Sequence, residues 1–475
     1  MNGNYLITGG KPEVKGDFEL SYKHVSTEIV TVKDSYDYLL AGKGYCLLQK
    51  QGGEIILFSA GGLKEYLNID STELKTVVDA VVLPRVLLSK HKVKVGIYQS
   101  ALKDDLEKTI AKGEFYSLEI GEHKVCAISL EPLRGYNKEV KKGISQLRGD
   151  FGSFGDALKR LIVETGDELI NYSAKPVINL SPEQPMYEVM KGIYSHLIYV
   201  MSMNTKGIID DVDIEFLHDF RVSVRRTRSA LSLIRGVYSK DIEKEFRGRF
   251  RDLGSMTGTA RDMDVYLDML GDYEAMLPEW LKGGMDELSE HFIKTRTAEY
   301  RKLAAYLKSV EFDKLHDDWT EIISTDKYAS KKGKKPVLHI AKKAIYEAFT
   351  EIEKQAEGMN KDTHSDAVHE IRISFKKIRY LLEFYSSLFD KQKIAPMLKD
   401  MKVLQDSLGD HNDYYVQQLS LEELIESREW SSITASACGF LTAILAEKQS
   451  AERERSLKLI ISFMNYKPLF GELFK

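Results

Sequence analysis

Four side chains that can each hold an anion recur at helical spacing in this sequence: His218, Arg221, Arg225 and Arg228. The pattern returns 151 residues later as His369, Arg372, Lys376 and Arg379. Steps of three and four residues put such groups in one row along a helix. A row of cations suits an extended polyanion. Arg226 and Lys377 add a further base to each copy. Arginine suits phosphate because its planar fork reaches two oxygens at once. A histidine in the same row is expected to gain a proton more readily beside bound phosphate.

The full strings are LHDFRVSVRRTR from Leu217 and VHEIRISFKKIR from Val368. On a helical wheel Leu217, Phe220, Val224 and Leu231 form one apolar stripe, matched by Val368, Ile371, Phe375 and Leu382. The cations lie on its flank, so they are expected to face a groove between helices. A second basic row follows each copy: Arg247 and Arg251 after the first, Lys399 and Lys402 after the second. The bland alternative is a salt-bridged face, with Asp219, Asp262, Asp264, Glu370 and Asp413 as partners. Recurrence of the whole pattern favours a ligand. Val222 and Ile373 read as packing residues. Ser223 and Ser374 read as donors to nearby backbone. Asp262, Asp264 and Asp268 resemble a metal cluster, but positions two apart point to different helix faces. They are assigned instead to a helix start, where acids oppose the macrodipole and orient arginines.

The same offset pairs Pro185 with Pro336, Leu253 with Leu404, Gly258 with Gly409, Asp262 with Asp413 and Val265 with Val416, without a gap. A fixed internal period predicts a duplicated unit. The expected architecture is multidomain: an N-terminal α+β domain over 1–180, then an all-α bundle over 185–475 with pseudo-two-fold symmetry. Its sub-bundles span about 185–330 and 336–470, joined through the basic stretch Lys331–Lys335. Helices are predicted over 186–204, 213–236, 240–256, 262–273, 276–311, 337–358, 364–389, 391–407, 411–427 and 431–465. The N-terminal region is expected to be β-rich and barrel-like. Its predicted strands are 44–49, 54–58, 77–83, 93–98 and 125–130, with helices at 34–40 and 101–112.

The 475 residues are 43% hydrophobic, enough for a packed core, which excludes a disordered chain. The formal net charge is −4, so the cationic character is local and belongs to particular helix faces. Three scattered cysteines indicate neither a disulfide framework nor a zinc cluster. No leader-like segment opens the sequence and no apolar run reaches membrane-spanning length. A cytoplasmic protein is expected, with no membrane partner.

At the paired strings, with GTARDMDVYL and GDHNDYYVQQL downstream, the sequence resembles the CHAD family, the conserved histidine α-helical domain. The resemblance covers about 185–470. The second copy has Asn412 where the first has Arg261. The resemblance implies a helical bundle that binds inorganic polyphosphate through basic residues lining a groove or pore, as a binding module with no catalytic residues, metal or cofactor. It also implies association with polyphosphate granules. In many such proteins a CYTH domain, a triphosphate-tunnel β-barrel, comes first. Here the family's ExExK signature is broken: Glu19-Leu20-Ser21-Tyr22-Lys23 has serine at the central acid. A degenerate CYTH-like barrel and an unrelated domain are the two readings of 1–180. The competing function is a metal-dependent triphosphate or polyphosphate hydrolase using that domain. Nucleic acid fits poorly, since it calls for a broad basic surface with exposed aromatics.

Overall fold

The computed structural model describes residues 5–14, 16–59, 62–66, 68–169, 173–174, 179–360 and 363–475. The chain divides into two compact units, Met1–Ser173 and Ala174–Lys475.

The first unit is β-rich. Its elements are β1 (Tyr5–Thr8), β2 (Glu19–Asp34), α1 (Leu39–Gly42), β3 (Cys46–Lys50), β4 (Ile55–Ser59), β5 (Gly62–Tyr66), α2 (Thr72–Val82), β6 (Leu88–Lys103), β7 (Thr109–Ile120), β8 (His123–Pro132), α3 (Asn137–Ile144), β9 (Asp150–Gly152) and α4 (Phe154–Glu164). The strands form one antiparallel sheet in the order β5-β4-β3-β2-β6-β7-β8-β1-β9. The order ends in β5 and β9, so the sheet is an open half-barrel and not a closed one. Helix α4, started by a Ser153–Asp156 capping box, buries Phe154, Leu158, Leu161 and Ile162 against Tyr5, Val30, Val93 and Tyr116 of the sheet. Helix α2 covers a second cluster with Leu74, Val78 and Val82 on Leu47, Ile55 and Leu57.

Three local expectations fail here. Residues 77–83 are the end of helix α2, not a strand. Ser71 accepts from Leu74 N, and the buried residues Leu74, Val78 and Val82 keep a four-residue step, so the β-branched run is helical. Residues 101–112 are the end of β6, a turn, and the start of β7. Asp104 Oδ1 accepts from Leu106 N (3.1 Å) and Lys108 N (2.9 Å), and Glu107 has a φ of 58°. An aspartate holding its own loop thus replaces the expected helix. Of 34–40 only the last two residues are helical.

The second unit is helical: α5 (Met186–Ile209), α6 (Ile214–Leu233), α7 (Lys240–Met256), α8 (Gly258–Asp268), α9 (Leu270–Met276), α10 (Gly284–Leu307), α11 (Val310–Ser324), α12 (Val337–Ala356), α13 (Ser365–Tyr385), α14 (Lys391–Ser427), α15 (Ser432–Phe463) and α16 (Lys467–Phe474). Fully buried Trp319 is ringed by Tyr194, Tyr238, Phe246 and Phe250. The predicted break at 408–410 does not occur: α14 runs 37 residues through Gly409. Its counterpart region does break, between α7 and α8, at Thr257. There the Thr257 hydroxyl donates to Gly254 O at 2.9 Å. The position 151 residues on is Leu408, which has no hydroxyl. Helices α11 and α16 were not foreseen; Ser309 caps the first by accepting from Phe312 N.

Two helix entries are stitched together by main-chain hydrogen bonds. Met186 N donates to Lys335 O at 3.0 Å and Val337 N to Gln184 O at 2.9 Å. Tyr187 N donates to Gly333 O at 2.9 Å and Leu338 N to Pro182 O at 3.2 Å. Each donor, and each acceptor, has its counterpart among these four bonds 151 residues away. The Lys331–Lys335 turn is itself held by Ser330 Oγ, which accepts from Lys332 N and Gly333 N. Among the described residues no helix is long and apolar enough to cross a membrane.

Candidate functional site: a basic groove between helices α6, α7 and α13

The apolar stripes behave as expected: Leu217, Phe220, Val224 and Leu231 on α6, and Val368, Ile371, Phe375 and Leu382 on α13, are all buried. Burying them fixes both helices and leaves the basic flanks along one seam. A cavity of about 1080 Å³ opens there. From α6 it is lined by Arg225 and Arg228, from α7 by Lys244, Arg247, Arg249 and Arg251, and from α13 by Lys376 and Lys377. Asp241, Glu245 and Asp252 also reach it, as do Ile373 and Tyr380. Bases outnumber acids, and several acids are already engaged. Arg249 bonds Asp318 at 2.8 Å and Glu245 at 3.4 Å, and Arg251 bonds Asp252 at 3.2 Å.

The expected residues do not all reach the cavity. Arg226 turns inward: it is 6% exposed, donates to Ala174 O at 2.9 Å and lies 3.5 Å from Glu383. Arg379 is held by Glu383 at 2.6 Å and Gln405 Oε1 at 2.7 Å. Its counterpart Arg228 passes over Gly254, the position matching Gln405, and so lies open to the cavity. Arg221 donates to Gly254 O (3.2 Å) and Thr257 Oγ1 (2.8 Å). Arg372 sits 3.8 Å from Asp413. Lys399 and Lys402 are exposed on α14 and do not line the cavity. Sequence reading missed Lys244, although it stands one turn before Arg247 and continues that row.

Other local readings change as well. Ile373 is 39% exposed at the cavity wall, not packed. Ser223 Oγ is buried without a hydrogen-bond partner, so it does not serve the backbone. Asp264 does not sit in a helix start. It is 1% exposed and accepts from Arg296 Nε at 2.6 Å and Tyr300 OH at 2.7 Å, tying α8 to α10. Asp262 lies near Arg221 and Arg261, and burial raises its pKa against their pull.

Crowding of like charges leaves an electrostatic mark. Burial, with Arg372 and Arg225 nearby, lowers the Lys376 ammonium to about 8. Burial also lowers the Arg221 and Arg372 guanidiniums, which stay charged. Burial and then Arg261 disfavour the charged form of His218 and lower its pKa. An anion is the natural relief for such a seam.

The N-terminal sheet holds a separate polar trough of about 1030 Å³, with Ser21, Lys23, Gln99, Lys112, Glu114 and Glu131 in its wall. Ser21 and Lys23 pair in register with Ala101 and Gln99, which pair with Lys112 and Glu114. Among the described residues its cationic lining consists of Lys23 and Lys112. Among the described residues no group of three or more His, Cys, Asp and Glu is placed to hold a metal.

A family model for the CHAD domain matches residues 194–422, and the helical arrangement is similar to that of such a domain. The N-terminal sheet resembles a CYTH-like half-barrel. The crystal structure of the CHAD domain from the plant Ricinus communis superposes with a TM-score of 0.53 at 25% identity, covering 62% of this chain and 96% of that one. Two proteins of Mycobacterium tuberculosis, strains CDC 1551/Oshkosh and ATCC 25618/H37Rv, are each 27% identical over 247 residues. Both are named only as uncharacterized proteins. The match spans 50% of this chain and 45% of theirs.

Proposed function

We propose that the helical unit binds inorganic polyphosphate along the seam of α6, α7 and α13. The observation that carries this reading is the convergence of Arg225, Arg228, Lys376 and Lys377, from two matched helices, on one cavity. None of these four takes part in a hydrogen bond or ion pair among the described residues. The CHAD family is linked to polyphosphate binding, which supports the same reading. A row from His218 to Arg228 covers about 15 Å at ~1.5 Å per residue, long enough for one polymer to meet several bases. We read the helical unit as a duplication, supported by the constant offset and by the matched main-chain bonds at Pro185 and Pro336. A cytoplasmic setting near polyphosphate granules fits this ligand.

The test is calorimetry on the full chain with long polyphosphate, tripolyphosphate, orthophosphate, ATP and single-stranded DNA. Tightest binding to the long polymer, weakening steeply with salt, is expected. Equal affinity for orthophosphate and the polymer would refute the reading.

A further inference from the structure

His218 and His369 stand 151 residues apart, and so do the residues their rings touch, Arg261 and Asn412. The contacts are geometrically alike. Arg261 Nη2 lies 3.1 Å from His218 Nδ1, and Asn412 Oδ1 lies 3.0 Å from His369 Nδ1. Their chemistry is opposite. A guanidinium can only donate, so His218 Nδ1 must offer its lone pair and the ring hydrogen sits on Nε2. Asn412 is oriented by its own amide nitrogen, which donates to Asp413 Oδ1 at 3.3 Å. Its Oδ1 therefore faces the ring as an acceptor, and His369 Nδ1 must carry the hydrogen. In the neutral ring His369 Nε2 is then a bare lone pair. No protein group among the described residues bonds Nε2 of either ring.

His218 and His369 stand seven residues, about two turns, before Arg225 and Lys376 and do not themselves line the cavity. Resting on the polyphosphate reading above, we propose that a polyanion running on from the cavity along the rows meets the two matched histidines with opposite polarity. His218 is a standing Nε2–H donor in its neutral form. His369 is a proton-gated donor that turns from repelling an oxygen to binding it when its ring takes up a second proton. The seam is thus chemically directional although its two rows look alike.

The surroundings agree. His218 is half-buried, and burial together with Arg261 disfavours its imidazolium, so it stays neutral and keeps one hydrogen. Arg221, Arg225 and Asp219 of its own helix act on it as well. His369 is exposed. Facing it from α14 is Asp413, beside Asn412. Along its own helix come Glu370 and then Arg372, which pairs with Asp413 at 3.8 Å. Arg225 of α6 acts on Arg372 across the seam. Helix α12, packed on α13, brings no charged group into hydrogen-bond or ion-pair contact with His369 among the described residues. Among the described residues no guanidinium bonds this ring as Arg261 bonds His218. A polyanion beside Nε2 favours the protonated ring.

The experiment has two arms on the full chain. Imidazole nitrogen shifts of ¹⁵N-labelled protein, free of ligand at pH 8, report the tautomers. His218 is expected with hydrogen on Nε2 and His369 with hydrogen on Nδ1. Long-chain polyphosphate binding is then followed from pH 5.5 to 7.5 for the wild type, His218→Gln, His369→Gln and Asn412→Arg. Wild-type affinity should rise on acidification by roughly threefold to tenfold. His369→Gln should flatten that rise. His218→Gln should weaken binding at every pH and keep the slope. Asn412→Arg should impose the His218 arrangement on His369 and flatten the slope while retaining binding. A slope lost in His218→Gln and kept in His369→Gln, or hydrogen on Nε2 of both rings, overturns this inference alone. A wild type that binds no polyphosphate overturns the site reading with it.

Discussion

Lys376 offers the sharpest test of the groove because its charge is already under strain. Burial, then Arg372 and Arg225, hold its ammonium near 8 instead of 10.5. A bound polyanion supplies the missing counter-charge and should return the pKa toward its ordinary value. Binding therefore favours the protonated form. Affinity should be full below about pH 8 and should fall as pH rises toward the bound-state value. A group of pKa about 8 is roughly nine-tenths charged at pH 7 and roughly one-tenth at pH 9, so affinity for polyphosphate should drop about tenfold between them. Lys376→Arg stays charged throughout and should abolish the drop. Lys376→Met should bind more weakly with no pH dependence in that window. The stability sign is opposite. The folded protein holds fewer protons than the unfolded chain between about pH 8 and 10.5, so this site's destabilisation is complete below pH 8 and fades as pH rises through that window. The shift corresponds to at most ~3 kcal/mol, which partial exposure reduces to about 1–2 kcal/mol. Lys376→Met should accordingly melt higher than wild type at pH 7. Isothermal titration at pH 7, 8 and 9, with melting curves alongside, measures both. A flat wild-type affinity profile, or an equal drop in Lys376→Arg, would refute the reasoning.

Arg225→Ala with Arg228→Ala should cut polyphosphate affinity at least tenfold with a melting temperature no lower than wild type, since neither side chain makes a hydrogen bond or ion pair among the described residues and Arg225 crowds Lys376. Arg226→Ala should do the reverse, costing about 1–3 kcal/mol in denaturant unfolding by stranding Ala174 O, while Glu383 keeps Arg379, with little effect on binding. Asp264→Ala should cost about 1–3 kcal/mol because it leaves the buried Tyr300 hydroxyl without its acceptor and Arg296 with Asp211 alone. The full chain with Mg²⁺ or Mn²⁺ should release no phosphate from tripolyphosphate, since Ser21 replaces an acid and the trough's bases are two lysines. Phosphate release lost in Glu19→Gln would reverse that view.

The helical half was readable because its signal is local and repeated. A four-residue apolar step with bases beside it specifies both the buried face and the flank, and α6 and α13 obey it. What the string could not convey is which base finds an internal partner. Arg226 and Arg379 have the same types and spacing as their neighbours, yet Glu383, on α13 itself, engages both. Gly254 against Gln405 decides whether the last arginine of a row is open or tied, and those residues lie on a different helix from the row. The β-half was harder because its cues conflict. The run at 77–83 is rich in valine yet buries every fourth residue, and the charged stretch at 104–108 looks helical until Asp104 is seen holding its own loop. Strand β2 was missed because only Leu20 and Tyr22 mark the packed face of its first half, and a bulge between His24 and Ser26 breaks the alternation.

The stitched helix entries near Pro185 and Pro336 bear on how freely the groove can vary. Four amide-to-carbonyl bonds join the two segments, and main-chain atoms are the same whatever side chains they carry. The alignment of one row with the other is thus anchored in atoms that substitution does not alter. Side chains in the seam can then drift apart without the rows slipping. The mismatches at Arg261 and Asn412, Thr257 and Leu408, and Gly254 and Gln405 are differences that such an anchor permits: two rows in one frame, each with its own chemistry.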